Sequence, residues 1–168
     1  MTGSAGSASS EHSDGAAGRG STIVVGVDGS TASLRALDWA VREGTSHGFE
    51  VEVVHAWDNI PLPSAVFTGA EELRHRSETM LAAHVGAATR GLTDPPPMSE
   101  VTVKGSAARV LIQRSADAAM LVLGRSRHQA VKDLLGAVRA SCVRGATCPV
   151  VVVPEMVSPG AADGDDTI

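Results

Sequence analysis

The sequence predicts an α/β fold, a parallel sheet with helices on both faces. Three observations carry this expectation. Short apolar or β-branched runs alternate with segments of helical periodicity from Ile23 to Val153. Glycine or proline marks most of the junctions between them. The run "AMLVLG" (119–124) is apolar throughout, as a strand buried on both faces must be.

The elements follow in order. Half of residues 1–20 are Gly or Ser, five of each, so this stretch cannot bury enough surface to offset its ordering entropy and is expected to be a disordered tail. Residues 157–168, ending "SPGAADGDDTI", are expected to behave the same way, which leaves 21–156 as one folded domain. Ile23–Val27 is the first strand and runs into "DGS". Ser30 is placed to cap a helix carrying Leu34, Leu37, Ala40 and Val41 at helical spacing, and Gly48 to stop it. "FEVEVVHAW" (49–57) is the second strand, followed by the proline-bearing loop "DNIPLPSAVFTG". From Ala70 to Arg90, the set Leu73, Ser77, Met80, Leu81, His84, Val85 and Ala88 marks one face of a long helix, which Gly91 closes. "TDPPP" cannot be helical. "SEVTVKG" alternates polar and apolar residues, the pattern of a half-exposed or edge strand. Ser106 should cap a short helix through Val110 and Leu111 to about Ala118. After "AMLVLG", the residues Leu134, Leu135, Val138 and Cys142 define a fourth helix, and "CPVVVVP" is the fifth strand.

Composition removes several classes of function. Aromatic residues are 2% of the chain and tyrosine is absent, so platforms for stacked bases are scarce. The net charge of −5 gives no reason to expect nucleic acid or a membrane surface as partner. Cys142 and Cys148 form no C-x-x-C pair and are expected as reduced thiols in or near the core. No apolar stretch is long enough to cross a bilayer, and the first residues have no apolar signal core, so a cytoplasmic location is expected.

In a sheet of this kind ligands sit beyond the carboxyl ends of the strands, where the strand order reverses. Two strand ends are candidates. At "GVDGS", the Asp28 carboxylate can accept hydrogen bonds from a ribose hydroxyl or an adenine amino group, or Asp28 and Ser30 can simply cap the first helix; the two roles are compatible. At "LVLGRSRHQAVKDLLGAV" (121–138), amides after Gly124 and a helix N-terminus could bind an anion. The same stretch reads equally as an ordinary strand-to-helix loop with solvated Arg and His side chains. It carries neither the G-K-[ST] of a P-loop nor the dinucleotide G-x-G-x-x-G. The histidines at 12, 47, 55, 75, 84 and 128 show no metal-ligand spacing, and His55 and His84 are expected to be structural. No G-x-S-x-G elbow supplies a nucleophile.

Taken together, "IVVGVDGS", "VVHAW", "VTVKGSAARVLIQRSADAAMLVLG", "LLGAV" and "ATCPVVVV" resemble a universal stress protein domain over residues 21–154. The resemblance implies a five-stranded parallel sheet of order 3-2-1-4-5, of the adenine nucleotide alpha hydrolase-like type, with its switch point between strands 1 and 4. It implies a homodimer paired through the last strand, Val150–Val153, and an unidentified protein partner. It also implies ATP or AMP as ligand, with magnesium accompanying ATP. Carried over position by position, Gly26, Val27 and Asp28 would meet the adenosine and Ala56 the base. Leu123, Gly124, Arg125 and Arg127 would lie at ribose and phosphate, and Gly136, Ala137 and Val138 at the phosphates.

The chain departs from the ATP-binding pattern of that family, G-x-x-G, nine residues, then G-[ST]. Gly124 and Gly136 match, but Arg127 replaces the second glycine, eight residues separate it from Gly136, and Ala137 replaces the hydroxyl residue. A lost hydrogen bond to a charged group removes about 1.5–3 kcal/mol, while Arg125 and Arg127 could supply guanidinium contacts. The expectation is a stress-response module that binds an adenine nucleotide weakly and is not an enzyme, with slow ATP hydrolysis left open. The alternative is a nucleotide-independent dimeric interaction protein of the same fold.

Overall fold

The computed structural model describes residues 20–57, 69–125 and 129–154, with the backbone alone for 129–135. The element order is β1 (Thr22–Gly26), α1 (Thr31–His47), β2 (Glu50–Trp57), α2 (Ala70–Ala88), β3 (Met98–Lys104), α3 (Ala107–Arg114), β4 (Met120–Arg125), α4 (Gln129–Gly145) and β5 (Val150–Pro154). The five strands form one parallel sheet of order β3-β2-β1-β4-β5, as the resemblance implies.

Alternation along the strands sorts the core into two layers. Ile23, Val25, Val51, Val53 and Val122 point to one face and pack on Ala36, Leu37, Ala40 and Val41 of α1 and Leu81 of α2. Val24, Val54, Leu121 and Leu123 point to the other and pack on Val110 and Leu111 of α3 and Cys142 of α4. Helices therefore cover both faces, and β1 and β4, flanked on each side, bury all of their central residues. The alternating β3 lies at one edge, where one face of a strand meets solvent.

The helix boundaries follow local chemistry. Ser30 occupies the N-cap of α1 and its hydroxyl accepts from the Ser33 amide at 3.2 Å. Gly48 closes the helix in the left-handed conformation at φ 69°, donating its amide to the Gly44 carbonyl. Two expectations need correction. Ser106 sits at the N-cap of α3 but makes no side-chain cap bond, and α3 ends at Arg114 because residues 115–117 tighten into a turn well before Ala118. Leu34 is only half-buried, since the buried face of α1 runs through Ala32, Ser33, Ala36 and Leu37 instead. The expected face of α2 does turn inward: Ser77 and Leu81 are buried and Met80, Val85 and Ala88 pack part-buried against the core, while the outer side is a charged surface stitched by Arg74 to Glu71 and Glu78 and by Arg76 to Glu72. The tails through 19 and from 155, and the loop 58–68, lie outside the described residues.

Candidate functional site

Strand order creates the site. The chain leaves β1 through α1 toward β2 on one side, and returns from β3 through α3 to β4 on the other. β1 and β4 stay paired only from Ile23↔Met120 to Val25↔Val122. Beyond that point Val27 bonds instead to β2, its amide donating to the Val54 carbonyl at 2.9 Å. The two strand ends part, and a cleft of about 540 Å³, open mouth included, lies between them.

Its floor is formed by Gly26 and Val27 of β1 and its exit, and by Leu123 and Gly124 of β4. Val54 and Ala56 of β2 form one wall, and Ala107 and Leu111 of α3 another. Val138 and Arg139 of α4 complete the far side, while Asp28, Ser30, Ala32 and Ser33 form the rim at the start of α1. The walls are small and apolar, as suits a planar base, with a few polar groups gathered at the rim.

Two glycines make the closeness of these elements possible. A Cβ on Gly26 would lie 2.9 Å from Leu123 and 3.1 Å from Leu111, so glycine lets both leucines close over the strand end. A Cβ on Gly124 would lie 2.3 Å from the Ala32 carbonyl oxygen and 2.7 Å from the Ser33 amide nitrogen. The backbone of α1 rests directly on Gly124, so its residue type is already explained by packing.

Asp28 takes the local role the sequence allows, at the start of α1. Its Oδ1 accepts from the Ser30 hydroxyl at 2.6 Å and the Ser30 amide at 3.0 Å, which locks the turn before α1. The Asp28 amide donates to the Ser33 hydroxyl at 3.3 Å, and that hydroxyl donates onward to the Ser30 carbonyl. Partial burial pushes the Asp28 carboxyl up, but the hydrogen bonds from Ser30 and Ser33 outweigh it and hold the group below its ordinary range. It is thus an ionised acceptor at the cleft rim, and two bonds on one oxygen leave acceptor capacity for a ligand hydroxyl. His55 is structural, its Nδ1 meeting the Val27 carbonyl at 2.7 Å and steadying the β1 exit. His84 also packs inside, with Nδ1 buried and without a hydrogen bond among the described residues.

Of the residues expected at the site, Gly26, Val27, Asp28, Ala56, Leu123, Gly124 and Val138 line the cleft. Arg125 is exposed at the end of β4, outside the lining. Arg127 lies outside the described residues. Gly136 and Ala137 do not line the cleft either. Because α4 already begins at Gln129, they sit inside the helix and not at its N-terminus. Interior amides of a helix are committed to carbonyls one turn back, so those of 136–138 are not free donors. Sequence reasoning missed Ser30, Ala32 and Ser33 as lining, along with Val54, Ala107, Leu111 and Arg139. For Arg139 a signal existed: it stands three residues after Gly136, on the same side of the helix.

Comparison with known proteins agrees with the fold. The model of the universal stress protein family matches residues 21–154. A universal stress protein of Mycobacterium tuberculosis is 32% identical over 142 residues, covering 78% of this chain and 46% of that protein. One from Mycolicibacterium smegmatis is 35% identical over 143 residues, covering 78% and 47%. The chain thus spans about half the length of the curated relatives it matches. Among solved structures, a universal stress protein in complex with cAMP matches with a TM-score of 0.62 and 26% identity, over 80% of this chain and 97% of that one. A family match across nearly all of the sheet and its helices, with the strand order and cleft described above, establishes that this chain belongs to the universal stress protein family.

Proposed function

We propose that the β1/β4 cleft binds an adenine nucleotide and that the domain serves as a stress-response regulatory module rather than a catalyst. The observation that carries this reading is the cleft itself: small apolar walls at Val54, Ala56 and Leu111, facing a hydrogen-bonded, ionised Asp28 at the strand tip. The adenine ring occupies the apolar part, and Asp28 accepts from a ribose hydroxyl. That a relative of 26% identity was solved with cAMP supports an adenine nucleotide as the ligand class. Turnover would need a base to activate water beside a phosphate. Asp28 is a weak base with its carboxylate engaged by Ser30, and the reading assigns no catalytic residue. Among the described residues no three His, Cys, Asp or Glu side chains gather to hold a metal, so magnesium would arrive on the phosphates of ATP.

Isothermal titration with AMP and ATP, together with mass spectrometry of gently purified protein, tests the proposal. Saturable binding and a co-purifying adenine nucleotide are expected; no heat at millimolar nucleotide overturns it. A second reading, an interaction protein indifferent to nucleotide, is favoured by one observation: residues 136–138 are interior to α4, with no hydroxyl at Ala137. It expects a melting temperature that nucleotide does not move. Self-association belongs to either reading. β5 is a sheet edge, and its Val152, 37% exposed, places apolar surface there, which supports a homodimer through Val150–Val153.

A further inference from the structure

We infer that Arg139 is the phosphate-selecting residue of this cleft and tunes it to a nucleotide carrying a single phosphate; the inference rests on the adenine-nucleotide reading above. Three observations lead there. First, the backbone amides of residues 136–138 cannot serve a phosphate, since α4 runs unbroken from Gln129 and they are spent within the helix. Nor can their side chains, for Gly136, Ala137 and Val138 offer no donor.

Second, Arg139 is the cation among the residues lining the cleft. Its Nη2 lies 3.8 Å from where a Cβ on Gly136 would stand, so the guanidinium folds back along the helix over that glycine. Among the described residues it has no ion-pair partner. The bare surface at Gly136 leaves the guanidinium room to present its fork to an anion.

Third, the cleft is electrically polarised. Asp28 on the α1 rim is ionised and repels an anion, and the Ser33 amide at the start of α1 is already taken by the Ser30 hydroxyl. A ligand matching both ends is neutral and hydrogen-bonding toward Asp28 and anionic toward Arg139. A nucleoside monophosphate has that form. A single guanidinium supplies one two-pronged contact, enough to engage one phosphate group, and further phosphates would project from the open mouth.

The test compares affinities of adenosine, AMP and ATP by isothermal titration in wild type, Arg139→Ala and Arg139→Lys. Wild type is expected to bind AMP at least about tenfold more tightly than adenosine, the size of one charged hydrogen bond, and ATP no more tightly than AMP. In Arg139→Ala the AMP-to-adenosine ratio falls toward one, and Arg139→Lys, keeping the charge without the fork, lies between. Apo melting curves of the variants show whether each is folded, and the ratio is read only within a folded protein. An unchanged ratio in Arg139→Ala overturns the role of Arg139 while leaving adenine binding in place. ATP binding about tenfold tighter than AMP overturns the single-phosphate preference. Absence of adenosine, AMP and ATP binding alike overturns both this inference and the function on which it rests.

Discussion

Gly124 has the backbone of a neighbouring helix where its own Cβ would be. An added methyl group would overlap the Ala32 carbonyl, and neither strand nor helix can yield without disturbing the core behind it. Gly124→Ala should therefore destabilise the domain by about 1–3 kcal/mol, read as a lower urea midpoint with an unchanged slope; an unaltered midpoint would show that α1 can lift away freely. Asp28 works through charge instead. Its folded pKa lies below the ordinary 3.8, so its contribution to stability is complete above that value and is lost as pH falls through the folded one. Asp28→Asn should be less stable than wild type at neutral pH, and the gap should close in acid below 3.8. Urea midpoints taken across that range check it, and a gap independent of pH would assign the stabilisation to something other than the carboxylate.

Among the elements, α3 is held to the sheet by two means. Val110 and Leu111 enter the core, and outside it Arg114 clasps Glu52 of β2 with Nε at 2.8 Å and Nη2 at 3.0 Å. The pair is two-pronged, but Arg114 is 41% exposed, so water and salt screen it. A double-mutant cycle with Arg114→Ala and Glu52→Gln should return a coupling below about 1 kcal/mol, shrinking further in high salt; a larger, salt-independent value would make the clasp a main anchor of α3. The start of α4 is the boundary that sequence pattern renders least well. The apolar positions that define the helix begin at Leu134, whereas the helix begins at Gln129, and the difference decides whether 136–138 can offer amides to a ligand.

At the scale of the whole molecule the sheet has two edges that differ in kind. β3 alternates polar and apolar residues, while β5 is a run of four valines ending in proline. An apolar edge with unpaired backbone groups invites another strand. If β5 is the dimer seam, Val152→Lys should shift the protein toward monomer in sedimentation velocity while leaving its circular dichroism intact; an unmoved sedimentation coefficient would place the seam elsewhere.

Strand, helix and turn were legible in the sequence because they rest on short-range signals: β-branched runs, helical spacing, Ser30 before a helix and Gly48 after it. Asp28 and Gly124 were legible as site residues because they stand at strand ends. The helix face that carries Arg139, the contact of α1 with Gly124, and the wall formed by Ala107 and Leu111 were not. Those residues come from elements far apart in the chain, and only the ordering of strands in the sheet brings them to one cleft. The sequence by itself thus determined the parallel α/β class and the strand tips where the cleft opens. The tertiary structure decided which side chains line that cleft, because helix phase and strand neighbours are settled by packing over long separations and not by local pattern.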